Sequence, residues 1–142
     1  MKNILIATDG SAGALVAVAM GAELARDLGG TASVVYVRPT IGALGDPFYQ
    51  RKLTEQMEEA EAALAAARAE AGKLGVSLET DVLEGDAADT IVEIARLRGA
   101  DVIAVGSRGL GAVTGALLGS VSSAIVHKAD RPVLVVKDEG GA

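Results

Sequence analysis

Residues 101–122 read DVIAVGSRGLGAVTGALLGSVS, and they contain the transition that decides the fold. Residues 101–105 form a short, mainly apolar run, which predicts a buried β-strand. A glycine-rich loop over residues 106–119 follows, and residues 120–128 predict a short helix that ends before Pro132. A buried strand that leads through a loop into a helix is the repeating unit of α/β proteins.

The rest of the chain repeats this alternation on both sides of the quoted stretch. Apolar or alternating runs predict further strands at residues 4–8, 31–37, 76–84 and 133–136, the third with one wet face. Three more helices are predicted from Ser11 to Gly29-Gly30, from Asp46-Pro47 to Gly75, and from Gly85-Asp86 to Gly99. The pattern predicts one α/β domain over residues 1–142, a doubly wound five-stranded parallel sheet with helices on both faces.

Composition and charge exclude several classes of function. The chain has 142 residues, a net charge of −6 and no cysteine, so disulfide scaffolds, thiolate metal sites and cysteine nucleophiles are excluded. Neither a basic face nor a supply of aromatic residues is present, and we therefore expect no nucleic acid partner. No apolar run approaches the roughly 20 residues of a membrane span, and the apolar stretch at residues 4–7 is too short for a signal peptide. We expect a cytoplasmic protein without a membrane partner.

The spacing of glycines after residue 105 predicts a phosphate site. Gly106-Ser107-Arg108-Gly109 is separated by nine residues from Gly119-Ser120, where a helix is predicted to begin. Glycine lets the backbone approach a ligand closely, and the first turn of a helix offers unpaired N–H groups at a partly positive end. Phosphate binds to such an arrangement without a strongly basic side chain. The Ser120 and Ser122 hydroxyls and the Arg108 guanidinium are candidate additional donors.

Two better-known phosphate motifs are absent from the sequence. A Walker A loop requires Gly-x4-Gly-Lys-Ser/Thr, and no such string occurs. The dinucleotide fingerprint requires Gly-x-Gly-x-x-Gly after the first strand, where this chain has Asp9-Gly10-Ser11. These absences argue against a P-loop enzyme and against a dinucleotide-dependent oxidoreductase.

The spacing Gly-x2-Gly-x9-Gly-Ser resembles the nucleotide-binding signature of ATP-binding universal stress proteins. The resemblance extends over nearly the whole chain, through residues 8–11 after the first strand, Gly85-Asp86-Ala87 and the closing segment at residues 131–136. It implies ATP, with Mg²⁺, across the carboxyl ends of the first and fourth strands. The residues that it assigns to the site are Ala7, Asp9, Val37 (against the adenine), Val105, Gly106, Arg108, Gly109, Gly119, Ser120, Val121 and Ser122. Family members often have His at position 108 and Thr at position 122.

A strand order of 3-2-1-4-5 agrees with this placement, because ligands of open α/β sheets bind at the switch point, here between the first and fourth strands. Structural readings stand beside the functional ones. Asp9 can simply brace its turn, the glycines can serve tight packing, and Ser120 is predicted to cap its helix. Arg108 can be a solvent-exposed charge, and His127 is interpreted as a structural residue near a helix C-terminus.

Several functions remain open at this point. The first is an ATP-binding regulatory protein of the stress response with little or no turnover, because the sequence contains no evident catalytic base or Walker lysine. The alternatives are a slow ATPase or phosphotransferase, a dimeric scaffold that does not use nucleotide, and a more distant AMP- or flavin-binding relative. The last strand, residues 133–136, is apolar on both sides and is predicted to pair with its copy in a homodimer.

Overall fold

Strands and helices alternate along the chain in the computed structural model, which describes residues 2–42, 45–108 and 118–138. The strands are β1 (Asn3–Ala7), β2 (Thr31–Arg38), β3 (Leu78–Glu84), β4 (Val102–Gly106) and β5 (Val133–Val136). The helices are α1 (Ala12–Asp27), α2 (Tyr49–Gly72), α3 (Ala87–Arg98) and α4 (Ser120–Lys128).

The five strands form one parallel sheet in the order β3-β2-β1-β4-β5, which confirms the predicted fold class and strand order. β1 occupies the centre, where Ile6 pairs with Val34 of β2 on one side and with Ala104 of β4 on the other. β3 and β5 form the two edges. Because all strands are parallel, their carboxyl ends meet at one end of the sheet, and the chain leaves each of β1 to β4 there.

Two apolar layers cover the two faces of the sheet. On one face, α1 and α2 pack against β-strand residues that include Ile4, Ile6 and Val34. On the other face, α3 and α4 pack against residues that include Leu5 and Ile103. Adjacent residues of β1 therefore belong to opposite layers, which explains why this strand is apolar throughout rather than alternating.

The helix ends follow local sequence signals. The Ser11 hydroxyl accepts a hydrogen bond from Ala14 N–H (3.1 Å) and caps α1, as predicted. The Asp86 carboxylate accepts one from Asp89 N–H (3.0 Å) and caps α3, which begins where Gly85-Asp86 predicted a helix start. Gly99 ends α3 in the left-handed conformation (φ 63°), which glycine adopts without steric cost.

Two predicted boundaries are wrong by a few residues. The helix predicted to start at Asp46-Pro47 starts at Tyr49, because Asp46 accepts a hydrogen bond from Phe48 N–H (2.8 Å) in a turn that precedes the helix. The strand predicted from Val76 starts at Leu78. Val76 N–H instead bonds to the Ala71 carbonyl (3.0 Å) and completes the end of α2 around Gly75 (φ 73°).

The two edges of the sheet differ in charge. β3 carries acidic residues that pair with arginines: Glu84 lies 2.6 Å from Arg38, and Asp81 lies 2.7 Å from Arg98. β5 consists of Val133–Val136 alone, and its first three residues are only half-buried in the single chain. Within the described ranges, no helix is long and apolar enough to cross a membrane.

Candidate functional site

A cavity opens at the carboxyl ends of β1, β2 and β4. Here the helices that follow two neighbouring strands diverge, since α1 packs on one face of the sheet and α4 on the other. Such a divergence leaves a crevice at the switch point of an open α/β sheet. The cavity has a volume of about 150 Å³ and is open to solvent at its mouth.

The cavity brings together every predicted binding residue that the structure describes. These residues are Ala7, Asp9, Val37, Val105, Gly106, Arg108, Gly119, Ser120, Val121 and Ser122. The remaining predicted residue, Gly109, lies outside the described residues. Segments that are up to about a hundred positions apart in the chain therefore converge on one crevice, as the strand order requires.

Sequence reasoning missed part of the lining, namely Thr8, Ala14, Ala87 and Ile91. Ala87 and Ile91 belong to the first turns of α3, which crosses from the edge strand β3 to β4 over the middle of the sheet. The start of such a crossing helix lies above the carboxyl ends of the strands it crosses. The strand order was thus a signal from which this apolar wall could have been found.

The turn after β1 holds Asp9 at the mouth of the cavity. Asp9 Oδ1 accepts a hydrogen bond from Ser11 N–H (3.0 Å), and Thr8 Oγ1 accepts one from Gly10 N–H (3.2 Å). Gly10 has φ 85°, a left-handed conformation that favours glycine. Asp9 therefore braces its turn, as the structural reading predicted, and it also lines the cavity.

Gly106 is required by packing as well as by position. A Cβ on Gly106 would lie 2.7 Å from the carbonyl oxygen of Gly13, and a Cβ on Gly13 would lie 2.7 Å from that of Arg108. Both distances are shorter than real Cβ contacts, so the first turn of α1 reaches the end of β4 only because both residues are glycine. This close contact between α1 and the end of β4 forms the base of the crevice.

The start of α4 presents backbone N–H groups to the cavity. Its N-cap is Gly119, which has no side chain to accept a hydrogen bond from the first turn. Gly119 N–H bonds to the Ser107 carbonyl (2.6 Å), and the first intrahelical bond is Ser123 N–H to the Gly119 carbonyl (2.9 Å). The amides of residues 120–122 precede that bond and belong to residues that line the cavity. The helix dipole makes this end partly positive.

Both serines of this turn differ from their predicted roles. Ser120 was predicted to be the N-cap, but it is the first helical residue, because Gly119 already has the extended conformation of a cap (φ −71°, ψ 168°). The Ser122 hydroxyl donates to the Ser107 carbonyl (2.9 Å) and to the Gly119 carbonyl (3.1 Å). Its single hydrogen is therefore directed at the protein backbone rather than at the cavity.

Opposite charges stand on either side of the cavity mouth, Asp9 on the β1 side and Arg108 on the β4 side. The negative charge of Asp9 also acts on Tyr36, a residue of β2 whose side chain packs in the layer formed with α1 and α2. Burial raises the pKa of Tyr36, and the negative charges of Glu59 and Asp9 raise it further. Tyr36 is thus a neutral phenol at physiological pH.

An ion pair connects the start of α3 with the end of α4, the two helices that wall the cavity on one face. Lys128 Nζ lies 2.6 Å from Asp89 Oδ1. The hydrogen bond from Lys128 lowers the pKa of the Asp89 carboxyl, and its positive charge lowers it further. His127 is exposed in the last turn of α4, where the sequence placed it.

In residues 2–42, 45–108 and 118–138, no cluster of three or more histidine, aspartate or glutamate side chains is arranged to hold a metal ion. A divalent cation at this site would need oxygen ligands from a bound molecule in addition to Asp9, as is usual for Mg²⁺. Even without a cation, the start of α4, Arg108 and the apolar lining of the cavity suit an anionic ligand that has an apolar portion.

Comparison with known proteins gives a consistent result. The profile described as "Usp: Universal stress protein family" matches residues 1–137. A curated relative, the universal stress protein in the QAH/OAS sulfhydrylase 3′ region of Thermus aquaticus, is 40% identical over 139 residues, which are 96% of this chain and 98% of the relative.

Solved structures show the same fold. The hypothetical protein MJ0577 aligns with a TM-score of 0.82 at 27% identity over 97% of this chain and 96% of its own. A universal stress protein from Archaeoglobus fulgidus, solved in complex with dAMP, aligns with a TM-score of 0.76 at 28% identity over 96% and 98% of the two chains. A universal stress protein in complex with cAMP aligns with a TM-score of 0.77 at 25% identity over 95% and 96%.

Proposed function

The chain belongs to the universal stress protein family, and from this premise we propose that it binds an adenine nucleotide, with ATP as the preferred ligand, at the carboxyl ends of β1, β2 and β4. In this proposal it is a cytoplasmic regulatory protein of the stress response that uses bound ATP as a signal or a structural ligand. The observation that carries the proposal is the uncapped start of α4 beside an apolar crevice.

The α4 end of the cavity suits the phosphates. Three consecutive first-turn amides, those of residues 120–122, belong to residues that line it, and a helix start of this kind binds phosphate through N–H groups and the helix dipole. Arg108 adds one positive charge at the mouth. Each further phosphate increases the negative charge near these groups, so we expect ATP to bind more tightly than AMP.

The β2 end of the cavity suits an adenine ring. The last hydrogen bond between β1 and β2 within the described residues joins Thr8 N–H to the Val35 carbonyl (3.0 Å). β2 continues for three more residues, and the Arg38 carbonyl is bonded to Gly85 N–H on the β3 side (3.0 Å). Backbone groups alternate in direction along a strand, so the N–H and carbonyl of Val37 point towards the β1 side, beyond the last bond.

A backbone donor next to a backbone acceptor matches the edge of adenine. The ring nitrogen N1 of adenine accepts a hydrogen bond and its 6-amino group donates one, whereas guanine has a donor and a carbonyl at these positions. Val105, Ala87 and Ile91 supply apolar walls for the ring. We therefore expect ATP to bind more tightly than GTP. The complexes of related proteins with dAMP and cAMP, both adenine nucleotides, support this choice of base.

Mg²⁺ would accompany ATP rather than occupy a protein site of its own. The Asp9 carboxylate at the cavity mouth would supply one protein ligand, and the phosphate oxygens and water would supply the others. Asp9 Oδ1 already accepts the Ser11 N–H bond, which fixes the orientation of the carboxylate.

The experiment that tests this function is a calorimetric titration of the purified protein with ATP, AMP, adenosine and GTP, each with and without Mg²⁺. We expect affinity to decrease from ATP to AMP to adenosine, and GTP to bind at least about tenfold more weakly than ATP, the value of one well-placed pair of base contacts. Equal affinity for ATP and GTP would contradict the base assignment. An absence of nucleotide binding would contradict the proposed function as a whole.

We propose little or no turnover of the bound ATP. Among the described residues that line the cavity, Asp9 is the only carboxylate, and no histidine or lysine is present. General base catalysis would thus depend on a residue that is already engaged in its turn. A phosphate-release assay should give fewer than about one turnover per second, the lower end of ordinary enzyme rates. Faster turnover that is lost in Asp9→Asn would favour the alternative of an ATPase.

We also propose a homodimer formed through β5. This edge strand has no charged residue, and Val133, Leu134 and Val135 are only half-buried, whereas the β3 edge carries exposed acidic residues that discourage pairing. Antiparallel pairing of β5 with β5 of a second copy would give hydrogen-bond partners to the unpaired backbone groups on the outer edge of each strand. Light scattering should show a dimer at micromolar concentration that Val135→Lys weakens. Glu79→Lys on the β3 edge is the matched control and should remain dimeric. A monomeric wild-type protein would rule out this interface.

A further inference from the structure

The backbone of Ser107 is a junction between the sheet and the start of α4. Its N–H bonds to the Val136 carbonyl of β5 (2.9 Å). Its carbonyl accepts two hydrogen bonds, one from Gly119 N–H (2.6 Å) and one from the Ser122 hydroxyl (2.9 Å). The backbone of Ser107 thus connects the end of β4, the edge strand and the first turn of α4.

The Ser122 hydroxyl is buried and directed at the backbone. Ser122 has only 3% of its surface exposed, and the hydroxyl donates to the Ser107 and Gly119 carbonyls at 2.9 and 3.1 Å. The single hydrogen of the hydroxyl is shared between these two carbonyls, which leaves none for a phosphate oxygen. What Ser122 offers to the cavity is its backbone N–H, the third amide of the uncapped turn.

These contacts distinguish Ser122 from a simple phosphate ligand. The hydroxyl bonds to the carbonyl of the N-cap residue, Gly119, and to a carbonyl at the end of β4, and both acceptors move with the elements that form the cavity. The position of the first turn of α4 relative to β4 sets the distance between its amides and the rest of the site, and the hydroxyl forms one of the bonds between these two segments.

We propose that Ser122 is a positioning residue, whose hydroxyl holds the amide end of α4 against the end of β4 so that the site discriminates in favour of the distal phosphates. The inference rests on the proposed nucleotide function. It assigns the hydroxyl no contact with the ligand. Without the hydroxyl, the helix start is held to Ser107 by the Gly119 N–H bond alone, and the amides lose their fixed spacing while the adenine end of the cavity is unchanged.

The test compares ATP and adenosine in Ser122→Ala. We expect the ratio of ATP to adenosine affinity to fall by about fivefold to tenfold, the effect of one hydrogen bond on a charged ligand, while adenosine affinity stays within about twofold of the wild type. Ser122→Thr keeps the hydroxyl and should restore most of the ratio. Ser123→Ala makes the same change at the adjacent exposed position and should alter neither affinity. Thermal unfolding of all variants verifies that they fold.

Two results would overturn the proposal. One is an unchanged ATP to adenosine ratio in Ser122→Ala; the other is an equal loss of both affinities, which a merely structural role would produce. Amide hydrogen exchange gives a readout without nucleotide, because exchange at Gly119, whose N–H shares the Ser107 carbonyl with the Ser122 hydroxyl, should accelerate in Ser122→Ala and not in Ser123→Ala. A wild-type protein that binds ATP no better than adenosine would instead contradict the proposed function, and the inference would fail with it.

Discussion

Two kinds of helix start meet at the carboxyl end of the sheet. α1 and α3 begin with capping side chains, the Ser11 hydroxyl on Ala14 N–H and the Asp86 carboxylate on Asp89 N–H. α4 begins with Gly119, which caps nothing. All three starts border the same crevice, yet α4 alone among them has no capping side chain on a first-turn amide. In the proposed function, the glycine at this N-cap is what leaves the third amide of the turn to a ligand.

The largest effect should come from giving α4 a charged cap. In Gly119→Asp, a carboxylate would accept the bond from the third amide of the turn, and its negative charge would lie where phosphate is expected. The backbone there (φ −71°, ψ 168°) accepts any residue, so folding should be retained. We expect ATP affinity to fall by at least about 100-fold, since like charges in contact cost several kcal/mol. Calorimetry measures the loss.

The control for this change is Gly72→Asp, which adds the same charge at the last residue of α2, where a new Cβ would meet no atom within 4 Å. It should leave ATP affinity within about twofold, since a distant surface charge is screened by salt. If both variants lost affinity equally, general electrostatics would explain the result and the role assigned to the start of α4 would be wrong.

A neutral cap should have a smaller effect. Gly119→Ser closes the same amide without adding charge, and we expect a roughly tenfold loss of ATP affinity, comparable to one hydrogen bond to a charged group. Helix stability should rise by a few tenths of a kcal/mol, the usual difference between serine and glycine at an N-cap. A variant that binds ATP more weakly but unfolds at a higher temperature would show that this amide contacts ATP in the wild-type protein. A variant that binds ATP as well as the wild type would contradict that identification.

Removing the capping side chain from α1 or α3 should affect the stability of the protein and not its ATP binding. Asp86→Ala and Ser11→Ala should each lower the free energy of unfolding by about 1 kcal/mol, because each leaves a first-turn amide without its acceptor. ATP affinity should stay within about twofold, since α1 and α3 contribute no amide to the phosphates. Denaturant titration and calorimetry on the same samples would separate the two effects. A tenfold loss of ATP affinity in Asp86→Ala would mean that α3 also serves as a binding start.

The smallest expected effect concerns the ion pair between Asp89 and Lys128. The folded pKa of Asp89 is lowered by the Lys128 hydrogen bond. A carboxyl whose folded pKa is depressed stabilises the fold above its unfolded pKa, and this contribution is lost as the pH falls through the folded pKa. Asp89→Asn should therefore slightly lower the unfolding temperature at pH 7, and the difference should disappear as the pH falls through the depressed folded pKa of Asp89. A difference that persisted in acid would contradict the ion-pair origin, as would additive losses in a double variant with Lys128→Gln.

The fold was predictable because its signals are local and repeated. Short apolar runs, Ser11 as a cap and Gly99 as a terminator each act within one turn of the chain, and the structure confirms them. The boundaries that failed depend on competing local bonds. Asp46 has the side chain of a helix cap, but its carboxylate bonds to Phe48 N–H in a preceding turn, so that α2 begins later than its composition indicates.

The site was predictable where it depends on backbone and only partly where it depends on side-chain direction. The glycine spacing located the start of α4, since glycine is conspicuous in a sequence whatever its neighbours are. The identity of Ser122 could not reveal that its hydroxyl is directed at Ser107, because that acceptor is brought close by the return of the chain. Ala87 and Ile91 were missed for a related reason, since an alanine and an isoleucine at a helix start do not differ from ordinary core residues until the strand order places them.

The central position of β1 has a consequence for how the protein is made. β1 leaves the ribosome before the other four strands, but its partner β4 begins only after Asp101, whose carboxylate accepts a hydrogen bond from Asn3 N–H across 98 positions of the chain. At bacterial or eukaryotic elongation rates, that wait lasts roughly 5–20 s. Until β4 is made, the side of β1 that pairs with it lacks its partner strand. The central strand of the finished sheet is thus the one whose second pairing must wait for most of the chain.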